Sequence, residues 1–251
     1  MIPNIFHFIW FLPESGGKPF SLFHYIAIKS AYEINKPDKI FVYNNKPPDS
    51  EWWHKLNGMV EVIKTEPPEE IFGNKLYHLA HKADITRINV LRENGGIYMD
   101  LDTICKKPFT PLLNYKFVMG KQGRFRKMGL GNSVMLAEKN AEFLSIWIEE
   151  YKTFRSKGHD KYWGEHSIKR PEILSKKYPQ LIHIEPYDSF QFPLYYSFCL
   201  RKLFVKNLDF RNAYCHHLWE NGSYELYLKN LTVEEIKTKD TTYNKLARKF
   251  L

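Results

Sequence analysis

The sequence predicts an α/β protein: a doubly wound, mostly parallel sheet flanked by helices, in a single domain over 1–251. Three observations carry this. Apolar runs of strand length recur at 2–10, 39–43 and 60–63 with helical patterns between them, and strands alternating with helices at that spacing build parallel sheets. The chain has 251 residues, 43% of them hydrophobic, enough for one domain with a sizeable core and no disordered bulk. A glycine pair, Gly95-Gly96, stops a helical pattern directly before a short apolar strand that runs into Asp100 and Asp102. In open sheets of this kind ligands bind beyond the carboxyl ends of the strands, where Trp10 and Asp100 both fall.

Taken in order, 2–10 is apolar throughout and reads as a buried first strand. Pro13, Gly16, Gly17 and Pro19 make 13–19 a loop. A helix suits 20–35, a buried strand suits 39–43 and a further short strand 60–63, and 44–50 is rich in turn residues. From Asn74 to Glu93 the apolar positions Leu76, Leu79, Ala80, Ala83, Val90 and Leu91 follow helical spacing, with Asn74 as the N-cap and Gly95 as the left-handed stop. Asp84 and Arg87, three apart, share a face of that helix; the plainest account is a local ion pair. On the strand that follows, Asp100 and Asp102 at i and i+2 project together. Two adjacent carboxylates repel unless a cation sits between them, and a hard divalent ion leaves positions open for phosphate oxygens.

The second half, 106–230, holds strands at 115–119, 131–137 and 181–184. A helix at 141–154 carries Phe143, Leu144, Trp147, Ile148 and Tyr151 as a core stripe. The basic residues Lys121, Arg124, Arg126 and Lys127 read as a solvated loop, and Glu165 as an acid at a helix start favoured by the dipole. Residues 231–251 read as a basic amphipathic helix with Val233, Ile236, Tyr243, Leu246 and Phe250 aligned, packed on the domain or in peripheral contact with a membrane. Net charge is +9, which favours an anionic partner. No nucleic-acid motif accompanies it, so nucleic acid is not expected. No stretch approaches the ~20 apolar residues that span a bilayer. The three cysteines, Cys105, Cys199 and Cys215, suggest a reducing compartment and no disulfide framework.

The string from Ala83-Asp84-Ile85-Thr86-Arg87 through Glu93-Asn94-Gly95-Gly96-Ile97-Tyr98-Met99-Asp100-Leu101-Asp102 resembles the DXD glycosyltransferases. It is most similar to family 32, the yeast initiating mannosyltransferases and bacterial capsule sugar transferases, with the clostridial glucosylating toxins more distant. The resemblance covers 2 to about 224 and implies a GT-A fold. It also implies metal-dependent, retaining transfer of a hexose from a nucleotide diphosphate sugar (a UDP-sugar first, GDP-mannose next) to a glycan or glycolipid acceptor.

By the same resemblance, Ile9 and Trp10 border the base, although a strand-end Trp is also ordinary core. Asp84 and Arg87 bond the donor sugar, Tyr98 packs beside it, Asn132 touches donor or acceptor, and Ser223 reaches the diphosphate. Asp102 and His217 hold the metal, with Asp100 helping through ribose or water; His216 is the alternate, since neighbours on a strand face opposite ways. An imidazole among the ligands suits Mn²⁺ better than Mg²⁺. Where the family has Thr-Gly-Pro this chain has Trp163-Gly164-Glu165, and Tyr224 replaces the usual Trp of its last motif. Secretory-pathway members carry a membrane anchor and none is visible here, so a cytoplasmic location is expected, possible peripheral contact aside. Two other readings are open: a phosphatase of the haloacid dehalogenase type using Asp100, which lacks the downstream acidic pair it needs, and a non-catalytic nucleotide-sugar binding module, which would be expected to have lost a carboxylate.

Overall fold

The computed structural model describes residues 1–124 and 128–251. The first half runs β1 (Ile5–Trp10), α1 (Leu22–Asn35), β2 (Lys39–Asn44), α2 (Glu51–His54), β3 (Glu61–Lys64), the small hairpin β4 (Glu70–Ile71) and β5 (Asn74–Lys75), α3 (Leu79–Asn94), β6 (Gly96–Met99) and β7 (Thr103–Cys105). The second runs β8 (Phe117–Lys121), β9 (Leu130–Ala137), α4 (Glu142–Glu150), α5 (Arg170–Lys177), β10 (His183–Glu185), α6 (Tyr187–Phe190), α7 (Ser197–Phe204), β11 (Cys215–His217), α8 (Glu220–Ser223), α9 (Val233–Thr238) and α10 (Thr242–Ala247).

Seven strands form the central sheet in the order β10-β8-β9-β6-β1-β2-β3. All neighbours are parallel except β9, which runs antiparallel to both β6 and β8. Alternation along the strands explains why the sheet is covered on both faces. Phe6, Phe8, Ile97, Met99, Val118, Val134 and Leu136 join the core under α1, whereas Tyr98, Phe117, Met119, Met135 and Ala137 join a second core with α3 and α4.

The turn from α3 into β6 needs both of its glycines. Gly95 has φ +68, and a Cβ there would lie 2.8 Å from the Lys139 amide. Gly96 has φ +108, and its Cβ would meet the Ile5 carbonyl at 2.5 Å and His7 Nε2 at 2.7 Å. Their missing side chains let β6 lie flat against β1.

Three expectations change. Strand β6 ends at Met99 and β7 begins at Thr103, so Asp100 and Asp102 stand in the turn between them and not at i and i+2 of a strand. The α3 helix begins at Leu79, not Asn74: His78 is the N-cap, accepting from the Ala80 amide, while Asn74 lies in β5 and donates to the Tyr151 and Lys152 carbonyls. The C-terminal 231–251 is not one helix. The backbone extends at Lys239 (φ −95, ψ 125), and Thr241 starts α10 afresh by accepting from the Asn244 amide. Ile236, Tyr243, Leu246 and Phe250 are all buried in the core with α1, so the apolar side of this segment faces the protein. No helix among the described residues is long and apolar enough to cross a membrane.

Candidate active site

Strands β1 and β6 run parallel and end at the same edge of the sheet, which brings Trp10 and Asp100 to one cleft. Beyond Asp100 the chain turns back, held by the Thr103 hydroxyl donating to the Asp100 carbonyl at 2.6 Å. Strand β7 then pairs antiparallel with β11, setting His217 opposite Thr103. That register puts His217 Nε2 3.2 Å from Asp102 Oδ1. After β11 the Leu218 amide donates to the Asp102 carbonyl at 2.7 Å. Trp219 then takes a left-handed conformation (φ 55, ψ 59), which aims the Glu220 amide at Asp102 Oδ2, 2.7 Å away. Asp102 is therefore clasped on both oxygens by a segment far along the chain.

One ligand atom each from Asp100, Asp102 and His217 lies within 4.8 Å of the others. Two carboxylates and an imidazole at that spacing fit a divalent cation, and the donor set suits Mn²⁺ at least as well as Mg²⁺. The two carboxylates titrate in opposite directions. Burial and the neighbouring Asp102 charge raise Asp100, against the pull of Arg87. Burial works on Asp102 too, but the His217 charge and hydrogen bond and the Glu220 amide outweigh it and bring it down to about 2.

Behind Asp100 stands Arg87. Its guanidinium reaches Asp100 Oδ1 at 3.2 Å and Asp84 Oδ1 at 3.5 Å, and donates to the Asn132 carbonyl at 3.0 Å. It also lies 4.5 Å from the Tyr98 ring centre, and the Tyr98 hydroxyl donates to Asp100 Oδ1 at 2.6 Å. The Asn132 amide donates to Asp84 Oδ1 at 2.7 Å. Asp84, Arg87, Tyr98 and Asn132 thus form one buried network that fixes Asp100. The local pair expected from sequence is present, but as part of a larger array.

The cleft has a volume of about 610 Å³ and is lined by Ile9, Trp10, His24, Asp102 and Glu220, among others. A second chamber of about 350 Å³, with Asn132, Ser133, Trp163 and Gln191 in its wall, shares Asp100, Tyr195, His217 and Trp219 with the first. The carboxylate–imidazole cluster lies on the divide between them.

Ile9 and Trp10 do line the cleft, but Trp10 is only 8% exposed and packs on Phe20 and His24 at ring distances of 5.3 and 5.0 Å. It meets the cleft with a margin of its ring, not an open face. Ser223 is fully buried, its hydroxyl has no partner among the described residues, and it is absent from the cleft wall. The short α8 turn directs Glu220, Asn221 and Gly222 to the cleft and turns Ser223 inward. His216 points away from the cluster: Nδ1 donates to the Phe192 carbonyl at 3.3 Å, and the ring lines a separate cavity with Lys106. Glu165 starts a π-helical turn (Glu165–Lys169) and is held by Arg155 through two bonds of 2.9 and 2.8 Å. Of the basic loop, Arg126 and Lys127 lie outside the described residues.

Sequence reading missed Gln191, Tyr195, Glu220 and His24. Gln191 is 1% exposed; its Oε1 accepts from Ser133 at 3.0 Å and its Nε2 has no partner among the described residues. Glu220 joins Lys18 (2.8 Å) and His24 (3.8 Å) across the cleft mouth. Only the tertiary fold assembles these, and no local spacing marks them.

Residues 24–118 match the family described as a glycosyltransferase sugar-binding region containing the DXD motif. Over its whole length the chain is 29% identical to glucan organizing enzyme 1 of Cryptococcus neoformans, covering 71% of that protein. The chain is a glycosyltransferase that carries the DXD sugar-binding region. This glycosyltransferase is also 31% identical, over 64% of its length, to inositol phosphoceramide mannosyltransferase 3 of Schizosaccharomyces pombe, of which it spans 40%. Its fold matches the glycosyltransferase GlyE of Streptococcus pneumoniae with a TM-score of 0.54, over 99% of this chain and 60% of GlyE, at 12% identity. The central sheet of this glycosyltransferase is accordingly the GT-A arrangement, and Asp100-Leu101-Asp102 is its DXD.

Proposed function

We propose that the protein transfers a hexose from a nucleotide diphosphate sugar to a hydroxyl of a glycan or glycolipid, with retention of anomeric configuration and with Mn²⁺ or Mg²⁺ as cofactor. The observation that carries this is the Asp100–Asp102–His217 cluster on the divide between two connected chambers. A divalent ion held there would supply Lewis-acid neutralisation of the departing diphosphate. The chain's own contribution is to hold the ligands ready: His217 and the Glu220 amide keep Asp102 ionised, and Arg87 and Tyr98 fix Asp100. In this reading the larger chamber takes the nucleotide, with Ile9 and the margin of Trp10 at the base, and the smaller one takes the sugar and acceptor beside Asn132. Asp84 and Arg87 act on the donor sugar through the buried network. The named activity of the fission-yeast relative speaks for a mannose donor, and UDP-sugars are the other class to test.

Calorimetric titration with UDP, GDP and their sugars, with Mn²⁺ or with EDTA, tests the proposal. Tight metal-dependent binding of one nucleotide class, lost in Asp102→Asn, is expected. Wild-type protein that binds no nucleotide in the presence of Mn²⁺ would overturn it.

A further inference from the structure

Three exposed aromatic side chains near the cleft gather at the start of one helix. Helix α7 buries Cys199, Leu200 and Leu203 and turns Phe198, Arg201 and Lys202 to the opposite side at i, i+3 and i+4, with exposed Val205 following as its C-cap. Phe198 is 66% exposed, and Tyr195 and Tyr196, in the turn leading into α7, are each 42% exposed. Tyr196 stacks on Phe198 with ring centres 5.7 Å apart. Large apolar side chains gathered at that exposure mark a contact surface, because scattered single ones are what ordinary surfaces show. Its chemistry is specific: Arg201 and Lys206 are exposed beside the aromatics, the half-buried Lys202 lies 5.0 Å over the Phe192 ring, segment 195–206 holds no carboxylate, and none of the three cations forms an ion pair with a carboxylate among the described residues. Aromatic and aliphatic side chains mixed with unpaired cations suit the boundary between lipid headgroups and acyl chains. Tyr195 ties the patch to the active site, since it also lines both chambers.

We propose that the outer face of α7, with the Tyr195-Tyr196 turn, docks on the surface of a bilayer containing anionic lipid and holds the cleft mouth toward it. The C-terminal segment does not do this, because its apolar side is already spent in the core. The inference rests on the transfer reading in one respect only, that the cleft is the end worth presenting; docking itself is measured without nucleotide.

Flotation with vesicles of phosphatidylcholine, alone or mixed with phosphatidylserine, tests it. Wild-type protein is expected to float with the anionic vesicles and to be released by salt. At roughly fivefold per cation near such a surface, the combined Arg201→Gln, Lys202→Gln, Lys206→Gln variant should lose on the order of a hundredfold in partitioning. Phe198→Ser with Val205→Ser should lose binding at fixed charge. Apart from the half-buried Lys202 the changed positions are exposed, and unchanged thermal midpoints and unchanged Mn²⁺-dependent nucleotide binding would show both variants folded. Wild type that floats with neither vesicle, variants that float like wild type, or a wild-type dimer that Phe198→Ser makes monomeric would each overturn the proposal. The last would assign the face to a second copy of the chain. Failure of the transfer reading would look different: vesicle binding intact, nucleotide binding absent.

Discussion

Arg87 holds together a buried array that reaches from helix α3 to Asp100. Its guanidinium lies between Asp84 and Asp100 and under the Tyr98 ring, with 7% of the side chain exposed. Removing one partner of such a buried array leaves charges without compensation, which costs about 3–5 kcal/mol. Arg87→Met should therefore lower unfolding free energy by about that much in urea denaturation. Adding Asp84→Asn should recover part of the loss, because one stranded carboxylate is then neutral. If the double variant is no more stable than the single one, Asp84 is not balanced by Arg87. Sequence spacing revealed the Asp84–Arg87 pair but not Asp100 as the third member or Asn132 as the fourth, since those contacts run from helix to strand and follow no local period. The choice between His216 and His217 likewise rested on register. The β7–β11 pairing turns His217 toward Asp102 and leaves His216 with Phe192.

At the scale of elements, the Gly95-Gly96 turn sets where β6 ends and so where Asp100 stands. Gly96→Ala would force a Cβ to within 2.5 Å of the Ile5 carbonyl at a φ of +108, and backbone has no side-chain rotamer with which to yield. We expect a loss of at least about 3 kcal/mol, read as a drop in denaturation midpoint, with β1 and β6 pushed apart. A near-neutral Gly96→Ala would show that the turn relaxes freely. The central strands and the core stripe of α4 were legible because burial on both faces writes continuous apolar runs and helical stripes into a sequence, whereas the edge strand β3 is exposed throughout. The start of α3 was not legible. Leu76 is apolar and in helical phase with Leu79 and Ala83, yet it reaches the core from the hairpin side, so periodicity ran on past the real boundary. The C-terminal segment misled in the same way, since an extended Lys239 between two short helices leaves the apolar spacing almost undisturbed.

Across the whole molecule, buried neutral histidines make stability sensitive to acid. His7 ties three elements together, its Nδ1 accepting from the Tyr43 hydroxyl at 3.0 Å and its Nε2 donating to the Gly95 carbonyl at 2.8 Å. Burial, against the help of that carbonyl bond, holds it down at about 4, and burial does the same to His216. Between pH 6.5 and 4 the unfolded chain takes up protons that the folded one refuses, so stability must fall as pH falls through that window. For His7 alone the loss at pH 5 is about 2 kcal/mol. His7→Gln should be weaker at pH 7 yet show a shallower decline to pH 5, and that difference in slope separates His7 from His217, whose raised value acts in the opposite sense. Equal slopes in variant and wild type would refute the assignment. The long-range clasp on Asp102 has its own consequence. The Glu220 amide that grips it lies 118 positions away, and His217 arrives with it. During synthesis the DXD leaves the ribosome long before its completing histidine does. A nascent or prematurely terminated chain that stops short of residue 217 therefore has Asp100 and Asp102 but not the imidazole that completes the cluster.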